Sequence, residues 1–249
     1  MKNWDTLDAD VVRLMNKNFT RGRGGKKIDM IVLHHNAGIL TIDQIWQVWQ
    51  TRPASAHYQV ESGGRIGQLV WDRDTAHHAA NWGINQRSIG VEISNSGGAA
   101  QDWPIAAPAL EEGAHLVAAI CRFYKLGRPA AGRNVRFHRE FTGTSCPHAL
   151  APGGRYHDEF FRRAGYWYDH MTGKTTPPPT SSASQIGDPM HLIRSLVNTA
   201  KSFTQDTMLA LIDRATWEIR VIVNELARRQ GIDPDKIVAD AIRKDNQNG

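Results

Sequence analysis

A short apolar segment that ends in two histidines constrains the fold of this 249-residue chain more than any other feature. Residues Met30 to Leu33 are continuously apolar, and His34 and His35 follow directly. A run of this length is typical of a strand buried inside a sheet. Side chains alternate along a strand, so only one of the two histidines can face a site at its end.

A second segment offers further metal ligands. His138 and Cys146 lie eight residues apart, among Thr, Gly, Ser and Pro residues that are typical of a loop. Zinc binds imidazole and thiolate, and a catalytic zinc keeps three protein ligands and one open position. The helical zinc-protease motif, which has a Glu after its first His, is absent. Taken alone, each histidine is more readily explained as an ordinary core or surface residue.

The chain has only two cysteines, which is too few for a disulfide framework. Cys121 lies in the apolar stretch Leu116 to Ile120 and is predicted to belong to the core. Cys146 has no apolar neighbours, which favours a chemical role. Pairing of the two remains an open alternative at this point.

Strand and helix patterns interleave in the first 174 residues. Strands are predicted at 30–34, 57–61, 65–71 and 88–93, and helices at 41–50, 107–124 and 158–170. Thr41 is a plausible N-cap for the first helix. This order predicts an α/β domain whose central mixed β-sheet is flanked by helices.

Four regions are predicted along the chain. Residues 1–28 form an N-terminal extension without an assigned role, and residues 29–174 form the catalytic domain. Residues 175–187, rich in Pro and Ser, form a linker. Residues 188–249 carry apolar side chains at three- and four-residue steps, which predicts a small all-helical module. That module could form a homo-oligomer.

Composition excludes some classes of protein. Hydrophobic residues make up 41% and charged residues 22%, as in ordinary globular domains. No apolar run approaches the roughly 20 residues that span a bilayer, and the first residues lack the apolar core of a signal peptide. We therefore expect no membrane insertion and no export by the general route. The net charge of +5 suits an anionic partner such as a bacterial wall. Without a recognition motif, it does not predict nucleic-acid binding.

Six short segments occur in a fixed order along the predicted catalytic domain. They are Ile31–Ala37, Ser55–Tyr58, Gly63–Ile66, His78–Ala79, Asn85–Glu92 and His138–Pro147. Singly they are unspecific. Together they resemble the zinc-dependent N-acetylmuramoyl-L-alanine amidases of the phage-lysozyme and peptidoglycan-recognition-protein superfamily. The resemblance covers about residues 29–150 and is silent on residues 176–249.

This resemblance implies a metal site and a catalytic acid–base residue. By position, His34, His138 and Cys146 would be the ligands of one Zn²⁺ per chain. Glu92 falls where one branch of the family has its acidic general base. On a strand, alternation would turn Glu92 to the face opposite Val91 and Ile93.

The sequence departs from the family pattern at two positions. Ala56 stands where some branches have a catalytic tyrosine, which favours Glu92 as the acid–base residue. Thr144 replaces a lysine that some phage enzymes have two positions before the cysteine, and it could donate a hydrogen bond to a developing oxyanion. The resemblance also implies that His57 and His78 bind substrate.

The implied activity is hydrolysis of the amide between N-acetylmuramic acid and L-alanine in bacterial peptidoglycan. The absence of an apolar leader and the separate C-terminal module suggest a phage endolysin, in which residues 188–249 would be a wall-binding module or drive oligomerisation. Such an enzyme stays in the host cytoplasm until a holin opens the inner membrane. Two alternatives remain: a peptidoglycan-binding module without catalysis, and a bacterial autolysin of the same family. Cys146 favours the enzyme, since binding-only members often lack this ligand.

Overall fold

The computed structural model describes residues 2–174. The predicted linker 175–187 and helical module 188–249 lie outside the described residues. The strands are β1 (Val11–Val12), β2 (Phe19–Thr20), β3 (Met30–His35), β4 (Tyr58–Val60), β5 (Ile66–Gln68), β6 (Thr75–Ala76), β7 (Ser88–Ile93) and β8 (Val135–Phe137). The helices are α1 (Ile42–Thr51), α2 (Trp82–Arg87), α3 (Ala107–Phe123) and α4 (His157–Met171), with short 3₁₀ turns at Ala99–Gln101, His138–Glu140 and His148–Leu150.

A mixed sheet with the strand order β1-β5-β4-β7-β3-β8 forms the centre of the fold. Strand β3 pairs in parallel with β7 and β8, and β7 also pairs in parallel with β4. Strand β5 is antiparallel to β4, and β1 adds in parallel at the edge. Strands β2 and β6 form a separate antiparallel pair. The predicted α/β class, a mixed sheet flanked by helices, is confirmed.

One face of this sheet is apolar and carries the main core. Ile31 and Leu33 of β3 and Val91 and Ile93 of β7 are fully buried in one cluster with residues of α3 and α4. Helix α3 approaches β7 closely at Gly113, where a Cβ atom would lie 2.8 Å from Cδ1 of Ile93. Strand β3 is buried along its whole length and reads as a continuous apolar run up to Leu33, as buried parallel strands usually do.

Helix α1 begins after the predicted N-cap Thr41, which forms a capping box with Gln44. Thr41 Oγ1 accepts a hydrogen bond from Gln44 N at 3.2 Å, and Gln44 Oε1 accepts one from Thr41 N at 2.9 Å. Ile45 and Trp49 are buried in a second apolar cluster, which also contains Leu69. The helix ends at Thr51, so Arg52 follows as its C-cap.

Most predicted elements are present, and most of the elements missed by the sequence analysis are very short. The predicted strand over 65–71 ends at Gln68, while the predicted helices at 41–50, 107–124 and 158–170 match α1, α3 and α4 within about one residue. Strands β1, β2, β6 and β8, of two or three residues each, were not predicted. Segments this short carry no periodicity from which to recognise them. Within residues 2–174, no helix has the length and apolar composition needed to cross a membrane.

Residues 2–28 are part of the packed domain, which the sequence did not indicate. Strand β1 extends the sheet. Met15 is 4% exposed and packs in the same cluster as Trp49 and Leu69. Trp4 stacks on His115 of α3, with ring centroids 3.9 Å apart.

Substitutions in this segment test whether it contributes to folding. Met15→Ala should lower the free energy of unfolding by about 2–4 kcal/mol, because it removes buried side-chain volume. Val12→Ala is the matched control, since Val12 is 52% exposed, and it should change stability by less than about 0.5 kcal/mol. Urea denaturation followed by circular dichroism measures both. Equal effects of the two substitutions would show that the segment does not pack as described.

Candidate active site

The register of three neighbouring strands brings polar side chains together on one face of the sheet. His34 of β3 is the Cα partner of Glu92 of β7, and Glu92 is the partner of Gln59 of β4. Partnered residues in a sheet point to the same face. Because all three strands are parallel, these side chains lie towards the carboxyl ends of the strands, where α/β proteins commonly bind ligands.

The loop after β8 brings two more candidate ligands to this place. His138 begins the 3₁₀ turn that follows β8, and the loop returns so that Arg139 N donates to the carbonyl of Cys146 at 2.8 Å. One ligand atom each from His34, His138 and Cys146, here called the metal triad, lie within 4.8 Å of one another. Nδ1 of His34 is 3.9 Å from Sγ of Cys146. Tetrahedral zinc separates such atoms by roughly 3.3–3.6 Å, so small side-chain movements would suffice.

The chemistry of the metal triad fits a zinc ion. Nε2 of His138 is buried and has no hydrogen-bond partner, which is costly unless another group satisfies it. Burial lowers the pKa of His34 well below its usual value, which keeps a lone pair available. Burial also raises the pKa of the Cys146 thiol, and the nearby Glu92 carboxyl raises it further. A cation at this position would reverse that effect and favour the thiolate.

His35 is turned away from the triad, as alternation along β3 requires. Its Nδ1 lies 3.2 Å from Oδ1 of Asn95. Its backbone N–H still serves the site, since it donates to Sγ of Cys146 at 3.4 Å. A donated N–H stabilises negative charge on sulfur.

Glu92 is held beside the metal triad by a pair of side-chain amides. Asn36 Nδ2 donates to Oε2 of Glu92 at 2.9 Å. Asn36 and Gln59 also bond reciprocally, with distances of 3.0 and 2.7 Å between their amide groups. Burial raises the pKa of Glu92 to about 7, while the Asn36 hydrogen bond and the charge of Arg52 act to lower it. A carboxyl with this pKa can both take up and release a proton near neutrality.

Arg52 places positive charge at the rim of the same site. Burial raises the pKa values of Glu92 and Cys146, and the charge of this exposed residue at the end of α1 partly opposes that rise. Burial lowers the pKa of His138, and the charge of Arg52 lowers it further. Sequence reasoning did not identify Arg52, because its distance from the triad along the chain hides their proximity. It also missed Asn36, although this residue directly follows the two histidines.

Thr144 lies in the loop that carries Cys146. Its Oγ1 accepts a hydrogen bond from Cys146 N at 3.2 Å. Because the hydroxyl accepts this bond, its own hydrogen stays available for a donor role. The residue is partly exposed, as a group that meets substrate must be.

His57 and His78 are buried beneath the site. His57 is 0% exposed, its Nδ1 accepts from Gly90 N at 2.9 Å, and its Nε2 lies 2.8 Å from Nη2 of Arg23. His78 is 7% exposed and its Nδ1 lies 3.1 Å from Nε2 of His34. Both rings are buried in this conformation, and the ring of His78 contacts His34, one of the three candidate ligands.

Comparison with known proteins identifies the family and the fold of this domain. The profile of the family described as N-acetylmuramoyl-L-alanine amidase matches residues 24–149, which include the metal triad, Glu92 and Thr144. The structure of the Staphylococcus aureus hydrolase AmiA in complex with its ligand is similar, with 21% identity, a TM-score of 0.55 and coverage of 69% of this chain and 90% of that chain. The PlyG catalytic domain has 20% identity, a TM-score of 0.52 and coverage of 68% and 99%. At such identities the two structures support the fold alone.

The raised pKa of Glu92 predicts a pH-dependent stability. In zinc-free protein the folded state holds this proton up to about pH 7, whereas an unfolded glutamate releases it near 4.5. The Glu92 contribution to stability therefore falls as pH rises between these values. Without zinc, Glu92→Gln should be more stable than wild type by about 3 kcal/mol above pH 7, and the difference should vanish below pH 4.5. Thermal unfolding at pH 4 to 8 measures it, and a constant difference would contradict the assignment.

Proposed function

Because this chain belongs to the N-acetylmuramoyl-L-alanine amidase family, we propose that it cleaves the amide between N-acetylmuramic acid and L-alanine with one zinc ion bound by the metal triad. The enzyme class and the peptidoglycan substrate follow from the family. The observation that carries the zinc-dependent part is the convergence of His34, His138 and Cys146 within 4.8 Å beside the strand partner Glu92. Three protein ligands leave the fourth position open, as hydrolysis requires.

Glu92 is the proton carrier in this proposal. A zinc ion bound to the triad supplies Lewis-acid polarisation of the carbonyl and a more acidic water. The Glu92 carboxylate takes one proton from the attacking water as the new carbon–oxygen bond forms. It then returns that proton to the alanine nitrogen as the carbon–nitrogen bond breaks. The Asn36 amide keeps the carboxylate aimed at the site throughout.

In this proposal, Thr144 and Arg52 stabilise the negative charge that develops on the carbonyl oxygen. The free hydroxyl hydrogen of Thr144 can donate to that oxygen. Arg52 adds a positive charge whose influence reaches Glu92, His138 and Cys146. Donors aimed at developing charge lower the barrier because they are oriented before the reaction starts.

The position of Tyr58 supports Glu92 rather than a tyrosine as the acid–base group. Tyr58 is 0% exposed and partners Val91 in the sheet, so it faces the apolar core. Its hydroxyl accepts a hydrogen bond from Gln68 Nε2 at 3.3 Å. Burial raises the pKa of this phenol well above its usual value, which makes ionisation at neutral pH unfavourable.

We also propose that the protein acts as a phage endolysin, which remains in the host cytoplasm until a holin gives it access to the wall. This setting is supported by the sequence plan of an enzyme domain, a linker and a separate module, of which the last two lie outside the described residues. A bacterial autolysin has the same chemistry and is the alternative. Complementation separates the two: expression with a holin should lyse the host, and expression without it should not. Lysis without a holin would contradict the endolysin role.

The bond that is cut is identified by the products. Purified peptidoglycan digested with the protein should yield stem peptides with a free L-alanine amine and glycan chains with intact lactyl acids, as seen by mass spectrometry. Digestion after treatment with a chelator should yield neither, and added zinc should restore both. A protein that binds peptidoglycan but releases no product in either condition would be a binding module without catalysis.

Two substitutions separate metal binding from proton transfer. Glu92→Gln should lower the rate of peptidoglycan hydrolysis by about 10²–10⁴-fold, because it removes the general base, while zinc content stays at one per chain. Cys146→Ser should lose both zinc and activity. Cys121→Ser is the matched control, since Cys121 is a fully buried core residue, and it should keep its zinc. Wild-type hydrolysis by Glu92→Gln, or full zinc content in Cys146→Ser, would contradict these roles.

A further inference from the structure

His34 is connected to two buried residues that the proposed reaction does not use directly. Nε2 of His34 lies 3.1 Å from Nδ1 of His78, and Nε2 of His78 lies 3.1 Å from Oγ of Ser88. The Ser88 hydroxyl in turn donates to the carbonyl of Ile84 at 2.6 Å. The exposed fractions of His34, His78 and Ser88 are 2%, 7% and 0%, so bulk water does not compete for these bonds.

The number of hydrogens on each group fixes which atom donates in each of these hydrogen bonds. A hydroxyl has one hydrogen, and that of Ser88 is committed to Ile84, so Ser88 can only accept from His78. The hydrogen of His78 therefore sits on Nε2, which leaves a lone pair on Nδ1. That lone pair accepts from Nε2–H of His34. A hydrogen on Nδ1 of His78 instead would leave Nε2 of His78 facing a hydroxyl that cannot donate to it.

We propose that His78 and Ser88 hold His34 in the tautomer protonated at Nε2, so that Nδ1 of His34 is the metal ligand. His78 is thus a positioning residue rather than a substrate contact. The proposal rests on the proposed zinc function and explains how His34 is held in the tautomer that can bind the metal. It agrees with the position of Nδ1 of His34, which lies 3.9 Å from Sγ of Cys146.

The surrounding chain is built to hold the His78 ring in this place. The backbone N–H groups of His78 and Ala79 both donate to Oδ1 of Asn85, at 3.2 and 2.8 Å. Gly90 faces the ring, and a Cβ atom there would lie 2.7 Å from Cγ of His78. The absence of a side chain at Gly90 is therefore a condition for the ring to sit against β7.

An imidazole in this role differs from the usual partner of a zinc-bound histidine. That partner is commonly a carboxylate or a backbone carbonyl. A carboxylate would add negative charge next to the ligand, whereas neutral His78 orients it without charge. The thiolate of Cys146 would then be the only anionic ligand of the triad, which preserves the Lewis acidity of a zinc ion bound there.

Zinc affinity of the full chain tests this proposal. We expect His78→Leu to weaken zinc binding by about 10–100-fold, the usual effect of losing such a partner, as measured by competition with a chromophoric chelator. His77→Leu is the matched control. His77 is the adjacent, partly exposed histidine, which contacts Thr20 at 3.0 Å and not His34, and its loss should change the affinity less than about twofold. A folded His78→Leu protein with wild-type zinc affinity would overturn the proposal.

The tautomer itself is a second measurement, independent of any substitution. Nitrogen-15 spectra of the histidines, in wild-type protein with and without zinc, should show His34 protonated at Nε2 and not at Nδ1. In Ser88→Ala, which removes one hydroxyl, the zinc-free spectrum should show both tautomers. A wild-type His34 protonated at Nδ1 would overturn the proposal even if His78→Leu fails to fold. Failure of the zinc function would appear differently, as a wild-type chain that binds no zinc.

Discussion

His34 and Glu92 are Cα partners in the parallel pairing of β3 with β7, and the candidate site depends on this register. A slip of one residue would turn each side chain of one strand to the other face. The partner of His34 would then be Val91 or Ile93, both of which are buried in the core. The apolar residues of the two strands therefore fix the relative position of His34 and Glu92, the proposed metal ligand and the proposed proton carrier.

The two faces of the sheet are stabilised by different interactions. One face packs apolar side chains against α3 and α4, and its stability depends on the shape and volume of those side chains. The other face carries Glu92, Gln59 and His34, and each of these has a hydrogen-bond partner within the protein. Polar groups removed from water are destabilising when unpaired. Nε2 of His138 is buried without a partner, and His138 is one of the three residues whose ligand atoms converge.

Much of this arrangement could be predicted from the sequence, and the reasons are physical. Strand β3 is recognisable because it is buried on both sides, and α1 because Thr41, a plausible N-cap, precedes apolar residues at helical spacing. The alternation along β7 correctly separates Glu92 from Val91 and Ile93. The resemblance to a family selected His34, His138 and Cys146, which spacing alone could not bring together.

Other features could not be predicted, because they arise from contacts between distant segments. Strand β1 has two residues and can be recognised as a strand only from its pairing with β5. His78 was expected to contact substrate, but its burial and its bond to His34 become visible only once β7 and the segment before α2 are packed. Arg52 lies near the triad because α1 ends just before it, and the apolar pattern of the helix gives no sign of this proximity.

The central claim is that His34, His138 and Cys146 hold one catalytic zinc. X-ray absorption at the zinc edge of the purified full-length protein tests it most directly. We expect one sulfur at about 2.3 Å and three nitrogen or oxygen atoms at about 2.0–2.1 Å, of which one is exchangeable. A first shell without sulfur, or with four protein ligands and no exchangeable position, would contradict it.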